Sequence, residues 1–155
     1  MQVTGNNGIG SKLKILLQIC FYGGIIILIA LPFLLKALGL HLNATAIVIY
    51  PNGTVLLIIT YKFIKLFESL EQNQPFCDKN VKILRSAGLM ALIEAVLWFI
   101  DLSYEIILVK EFDIIVTVIL SFIIILFLVI ALALYILSEL FRESTEYKKE
   151  NELTI

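Results

Sequence analysis

The stretch IIVTVILSFIIILFLVIALALYIL, residues 114–137, decides the fold. Its 24 residues carry no charge. A helix needs only about 20 apolar residues to cross a hydrocarbon core of about 30 Å. The many β-branched residues do not argue for a strand. A backbone surrounded by lipid must satisfy its own hydrogen bonds, and a single helix does so.

Three further apolar runs precede this one, separated by polar junctions. Expected spans are roughly 13–38, 47–67, 81–108 and 114–137. Of the 155 residues, 60% are apolar, against about 45–50% in a soluble domain. The mean hydropathy is +0.98. So small a chain has too little interior to hide that excess. Lipid is the matching solvent.

Charge supplies the orientation. Ten of the 12 cations lie at the N-terminus, the middle junction or the C-terminus: Lys12, Lys14, Lys62, Lys65, Lys79, Lys82, Arg85, Arg142, Lys148 and Lys149. Only Lys36 and Lys110 lie at the other two junctions. Short loops rich in Lys and Arg stay in the cytoplasm. The expected architecture is therefore an all-α, integral membrane four-helix bundle with both termini cytoplasmic. A net charge of -1 with no separate basic face argues against direct nucleic-acid binding.

Residues 1–11 are rich in Gly and Asn and are expected to be disordered; the span domain covers 12–141, and 142–155 is a cytoplasmic tail. The first apolar run is too long for a signal-peptide core and lacks a small-residue cleavage site, so it is expected to stay in place. Pro51-Asn52-Gly53 interrupts the second run. Proline is tolerated in a first helical turn, so a helix starting near Pro51 is expected, the alternative being a separate interfacial piece at 44–50. Asp78 or Asn80 is expected to cap the third helix. Cys20 and Cys77 are expected to be free thiols on the reducing side.

The chemistry-bearing residues cluster in the third run. Ala87, Met90, Glu94, Trp98, Asp101 and Glu105 fall on one narrow face at 100° per residue. Carboxylates in a spanning helix are costly and normally turn towards the bundle interior. Glu94, Trp98, Asp101 and Glu105 are thus candidates for a ligand or ion site. The favoured reading is packing: Glu94 protonated, or hydrogen-bonded to Gln18, Tyr22 or Thr60, with Asp101 and Glu105 at the outer interface. The alternative is a cation or proton path opening to the exterior. Asp101, Glu105, Glu111 and Asp113 make an acidic outer rim against Lys110, read as tolerated surface charge. His41 stands alone and does not make a zinc site. No nucleophile–base pair, P-loop or dinucleotide fingerprint is present. No cofactor, metal or catalytic residue is expected, and the protein is not expected to be an enzyme.

In the tail, Glu146 and Lys149 are spaced to pair one turn apart, and Phe141 and Tyr147 offer apolar contact area. Two stretches carry a resemblance. Gln74-Pro75-Phe76 followed by Asn80, Leu84 and Gly88 makes a PF…N…L…G pattern. Leu140-Phe141-Arg142 is followed by the ending ENELTI, residues 150–155. In both, the chain resembles the YoaS-like bacterial family of four-span membrane proteins of unknown function. The resemblance implies a location in the bacterial cell membrane, no catalytic residues, and a partner: a small helix-turn-helix regulator encoded nearby. Both stretches fall on the cytoplasmic side by the charge pattern. They define a candidate docking surface at Pro75, Phe76, Asn80, Phe141, Arg142, Glu150, Asn151 and Leu153. The expected partners are membrane lipid, that regulator and further copies of the chain. The expected role is regulatory, with a small transporter using the span-three carboxylates, or an immunity-type membrane protein, as alternatives.

Overall fold

A computed structural model describes residues 9–37, 42–72, 75–109 and 114–153. All regular structure among them is helical. The elements are α1 (Ile9–Ala37), α2 (Leu42–Glu71), α3 (Asp78–Tyr104), a π-helical turn (Glu105–Val109) and α4 (Ile114–Leu153). Three helices are long and apolar enough to cross a membrane: those over Gly10–Ala37, Asp78–Ile107 and Ile114–Asn151. They mark an all-α membrane protein.

Side-chain placement is inverted relative to a water-soluble fold. Phe33, Ile115 and Phe122 are 74%, 70% and 67% exposed. The buried set is instead rich in small residues, including Ala87, Ala91, Ala95 and Ala131. Lipid tails are as apolar as leucine, so large side chains gain nothing by turning inward, whereas small ones let backbones approach closely. Gly88 shows the closeness directly. A Cβ built there would lie 3.2 Å from the Ala131 carbonyl oxygen and 3.4 Å from Leu134 Cβ.

The helices pack in series. The α3–α4 contact is the most extensive, followed by α1–α2 and α2–α3; among the described residues no other pair of the four helices brings its backbones together. Leu66, Leu84, Ala87 and Leu134 form a core where α2 and α4 both press on α3. Between α1 and α2 the fit is reciprocal. Leu57 fills the space a Gly24 Cβ would take, and Leu28 fills that of Gly53. Two ion pairs gather the helix ends: Lys14 with Glu71 joins the start of α1 to the end of α2, and Lys149 with Asp78 joins the end of α4 to the start of α3.

The structure corrects several local expectations. Ile9–Ser11 already belong to α1 rather than to a disordered segment; the rest of that segment lies outside the described residues. α2 does not start near Pro51 but runs through it from Leu42. Proline removes one backbone hydrogen bond from a helix interior. Polar side chains beside it hydrogen-bond neighbouring carbonyls: Asn52 Nδ2 donates to Val48 O at 2.8 Å and Thr54 Oγ1 to Tyr50 O at 2.7 Å. The carbonyl that Pro51 leaves without its helical donor is that of Ile47, one residue before Val48; membrane helices tolerate internal prolines where neighbouring groups or local adjustment satisfy that carbonyl. Gly53 therefore serves helix packing and not a turn. The N-cap of α3 is Cys77, with no side-chain cap, rather than Asp78 or Asn80. Its carbonyl accepts from the Asn80 and Val81 amides at 3.0 and 3.3 Å. Both cysteines are free. His41 and the outer loop with Lys110, Glu111 and Asp113 lie outside the described residues.

Candidate functional site: a buried polar cluster and a helix-end clamp

The polar face of α3 turns inward. Glu94 is fully buried at 0% exposure. One turn on, the Trp98 indole N–H donates to Glu94 Oε1 at 3.1 Å. None of the expected partners Gln18, Tyr22 and Thr60 takes this place; the Thr60 hydroxyl donates to Leu56 O within its own helix. An indole at i+4 on the same face reaches the carboxylate without any interhelical adjustment.

Asp101 is tied to a residue the sequence did not single out. Asn52 Nδ2 donates to Asp101 Oδ2 at 3.1 Å, joining α2 to α3. Both amide hydrogens of Asn52 are thereby used, one on Val48 and one on Asp101. Asn52 is 4% exposed. Its position next to Pro51 reads as a chain break; the usable signal was an amide embedded in an apolar run, a residue type that hydrogen-bonds across membrane helices. Glu105 does not join this group. It opens the π-helical turn and is exposed.

Two oxygens in the cluster lack partners. Asn52 Oδ1 and Glu94 Oε2 are buried with no hydrogen bond. Each is an acceptor, and a buried acceptor left empty costs free energy. At Asn52, α1 and α2 with Trp98 of α3 line an open pocket of about 350 Å³ that also takes in Cys20, Gly24 and Thr60. The arrangement can accept donors such as water, an ammonium group or a hydroxyl. Among the described residues no three His, Cys, Asp or Glu side chains come close enough to hold a metal ion.

The second candidate region becomes a clamp. Phe76 and Phe141 pack with ring centroids 5.4 Å apart and ring planes tilted by 56°. Asn80 is fully buried, and its Nδ2 donates to Pro75 O at 2.8 Å. Phe76, Asn80, Leu84 and Gly88 recur every fourth residue from the junction into α3. Leu84 enters the core with Phe141 packed against that core, and Gly88 meets α4 directly. The sequence pattern is thus a stripe that seats the junction and α3 on α4. Arg142 pairs with Glu139 at 2.8 Å. Glu150 and Asn151 lie on exposed turns further along α4. Leu153 closes the helix, and its side chain lies outside the described residues.

Lys149 is drawn not to Glu146 but to Asp78, at 3.1 and 2.8 Å from its two oxygens. That hydrogen-bonded ion pair holds the Asp78 carboxyl below its ordinary pKa and the Lys149 ammonium above its own. Tyr147 remains 67% exposed.

These features define a class: a helical membrane protein with a polar cluster buried between its helices and a helix that outruns the bilayer. The chain belongs to the family described as "Protein of unknown function (DUF2975)", whose pattern matches residues 11–155. No curated protein and no solved structure matches it.

Proposed function

We propose that this is a non-enzymatic, four-span protein of the bacterial cell membrane that regulates by holding a cytoplasmic helix-turn-helix protein. The observation that carries this reading is the length of α4. Its 40 residues reach about 60 Å at 1.5 Å per residue, twice a hydrocarbon core of about 30 Å. Its apolar run ends at Leu137, followed by Ser138 and the charged residues from Glu139, so the remaining turns stand clear of lipid. The Phe76–Phe141 contact and the Asp78–Lys149 pair brace that extension against the middle junction. A braced helix offers a partner a surface with little ordering cost. The resemblance to YoaS-like proteins supplies the kind of partner.

Four crossings are supported by the ion pair between Lys14 and Glu71. It returns α2 to the end where α1 starts, although α2 is not among the three helices that are long and apolar enough to cross within the described residues. The cationic ends then collect on one face, as a cytoplasmic face requires. A regulator bound there is withdrawn from DNA by mass action. Pull-down from cells tests this. The intact chain is expected to retain a helix-turn-helix protein and a chain truncated after Leu137 to lose it; equal recovery from both sinks the reading.

A second reading is favoured by the unpartnered Glu94 and Asn52 oxygens: a small transporter that passes a cationic solute through the buried cluster. Glu94→Gln separates the two. Transport predicts lost flux in reconstituted vesicles with the helical fold intact, whereas regulation predicts unchanged partner recovery.

A further inference from the structure

Two hollows meet on the cytoplasmic half of α3. One is a groove of about 700 Å³ between α3 and α4, its deeper wall made of Gly88, Leu92, Leu128, Ala131 and Leu132. Lys82, Arg85 and Ser86 stand at its other end. The second hollow, of about 640 Å³, lies between α2 and α3 and is lined by Lys62, Lys65, Lys79 and Lys82, with Tyr61 and Ser86. Lys82 and Ser86 belong to both. We propose that the two hollows form one binding site for an anionic phospholipid of the cytoplasmic leaflet. Its phosphate lies at Lys82, Ser86 and Arg85, its headgroup reaches into the lysine pocket, and an acyl chain runs along the groove past Gly88 to Leu92.

The dimensions fit one leaflet. From Lys82 to Leu92 is ten residues, about 15 Å along a helix, which is half of a hydrocarbon core of about 30 Å. The groove exists because small residues face each other there, Gly88 against Ala131. Its flanking leucines are partly exposed, Leu92 at 44% and Leu132 at 61%, so an acyl chain can enter sideways from the bilayer.

The charge is concentrated and mostly uncompensated. Lys65 is paired with Glu68 at 2.8 Å, and Asp78 is taken by Lys149. Lys62, Lys79, Lys82 and Arg85 make no ion pair among the described residues, and Arg85 is held over the Tyr135 ring at 5.8 Å. Bulk lipid needs only an apolar wall. Cations collected at the headgroup level of such a wall select an anionic headgroup, and basic pockets between membrane helices on the cytoplasmic side recognise such lipids. The site rests on the bilayer placement proposed above and is independent of any soluble partner.

The test uses full-length protein that has floated with vesicles, so the bilayer placement is checked before lipid selection. The protein is extracted into mixed micelles with equal phosphatidylglycerol and phosphatidylcholine, and bound lipid is counted by native mass spectrometry. Phosphatidylglycerol is expected to predominate. Lys82→Gln with Arg85→Gln should lower that preference about fivefold for each cation removed. Leu132→Trp, which fills the groove and leaves the cations in place, should reduce retention of the lipid. Equal occupancy by the two lipids in the unaltered chain overturns the proposal. So does an undiminished preference in the Lys82/Arg85 variant, or displacement of the lipid by glycerol phosphate, which carries the charge without an acyl chain.

Discussion

Asn52 shows how much one amide can settle inside a membrane. Its Nδ2 bridges Val48 O and Asp101 Oδ2, so it both bonds back to its own helix and fastens α2 to α3. A hydrogen bond between membrane helices contributes about 0.6 kcal/mol on average and up to about 1.7. Asn52→Ala should therefore destabilise the fold within that range, read by thermal unfolding in micelles. In a double-mutant cycle with Asp101→Ala, which removes the acceptor, the coupling should be non-zero; strictly additive losses would mean that the Asn52–Asp101 contact contributes nothing. Glu94 was legible from its place in an apolar run, since a carboxyl there must find the interior. Its partner was not. Sequence spacing offers several hydrogen-bonding groups at comparable depth, and only the indole geometry chooses Trp98.

At the level of single helices, α3 and α4 owe their contact to missing side-chain volume. Gly88→Leu would push atoms into the Ala131 carbonyl and the Leu134 side chain, at a cost of about 1–3 kcal/mol for overpacking. Gly23 is the internal control, because a Cβ there meets nothing within 4 Å. Gly23→Leu should be tolerated; equal losses at the two glycines would contradict the close α3–α4 approach. The extension of α4 has its own signature. Asp78's depressed pKa makes the Asp78–Lys149 contact present above the ordinary carboxyl range and lost as pH falls through the depressed value. Lys149's raised pKa makes the same contact present below the ordinary ammonium range and lost as pH rises through the raised value. Protection of residues 138–151 against hydrogen exchange, after correction for intrinsic rates, should thus be flat between about pH 5 and pH 9. Because both groups are exposed, it should fall with added salt. A step near neutral pH would mean that another group controls the extension.

For the whole molecule, the prediction concerns which ends share a face. The pairs Lys14–Glu71 and Asp78–Lys149 gather four helix ends, and among the described residues the contacts run α1 to α2 to α3 to α4 without closing into a ring. In a background with Cys20 and Cys77 replaced by serine, a cysteine at position 79 should react with a membrane-impermeant maleimide only from the cytosol. A cysteine at position 36 should react only from outside. The opposite pattern would reverse the orientation, and labelling of both from one side would mean an even number of crossings between them, so that α2 does not cross on its own. The serial packing also leaves the outer faces of α1 and α4 to lipid, which is why their isoleucines and phenylalanines dominate the exposed surface.

By itself the sequence determined the solvent, the helical class and the grouping of cationic ends. These depend on transfer energies and charges that add up residue by residue along the chain. Tertiary structure decided what those helices do with one another: that Pro51 lies inside α2, that Asn52 holds Asp101, and that Phe76, Asn80, Leu84 and Gly88 form a packing stripe. Apolar spans of nearly uniform hydropathy carry no preference for one neighbour over another. The choice falls to the shapes left by glycine and alanine and to the few polar groups that must find partners, and both exist only once the helices are side by side.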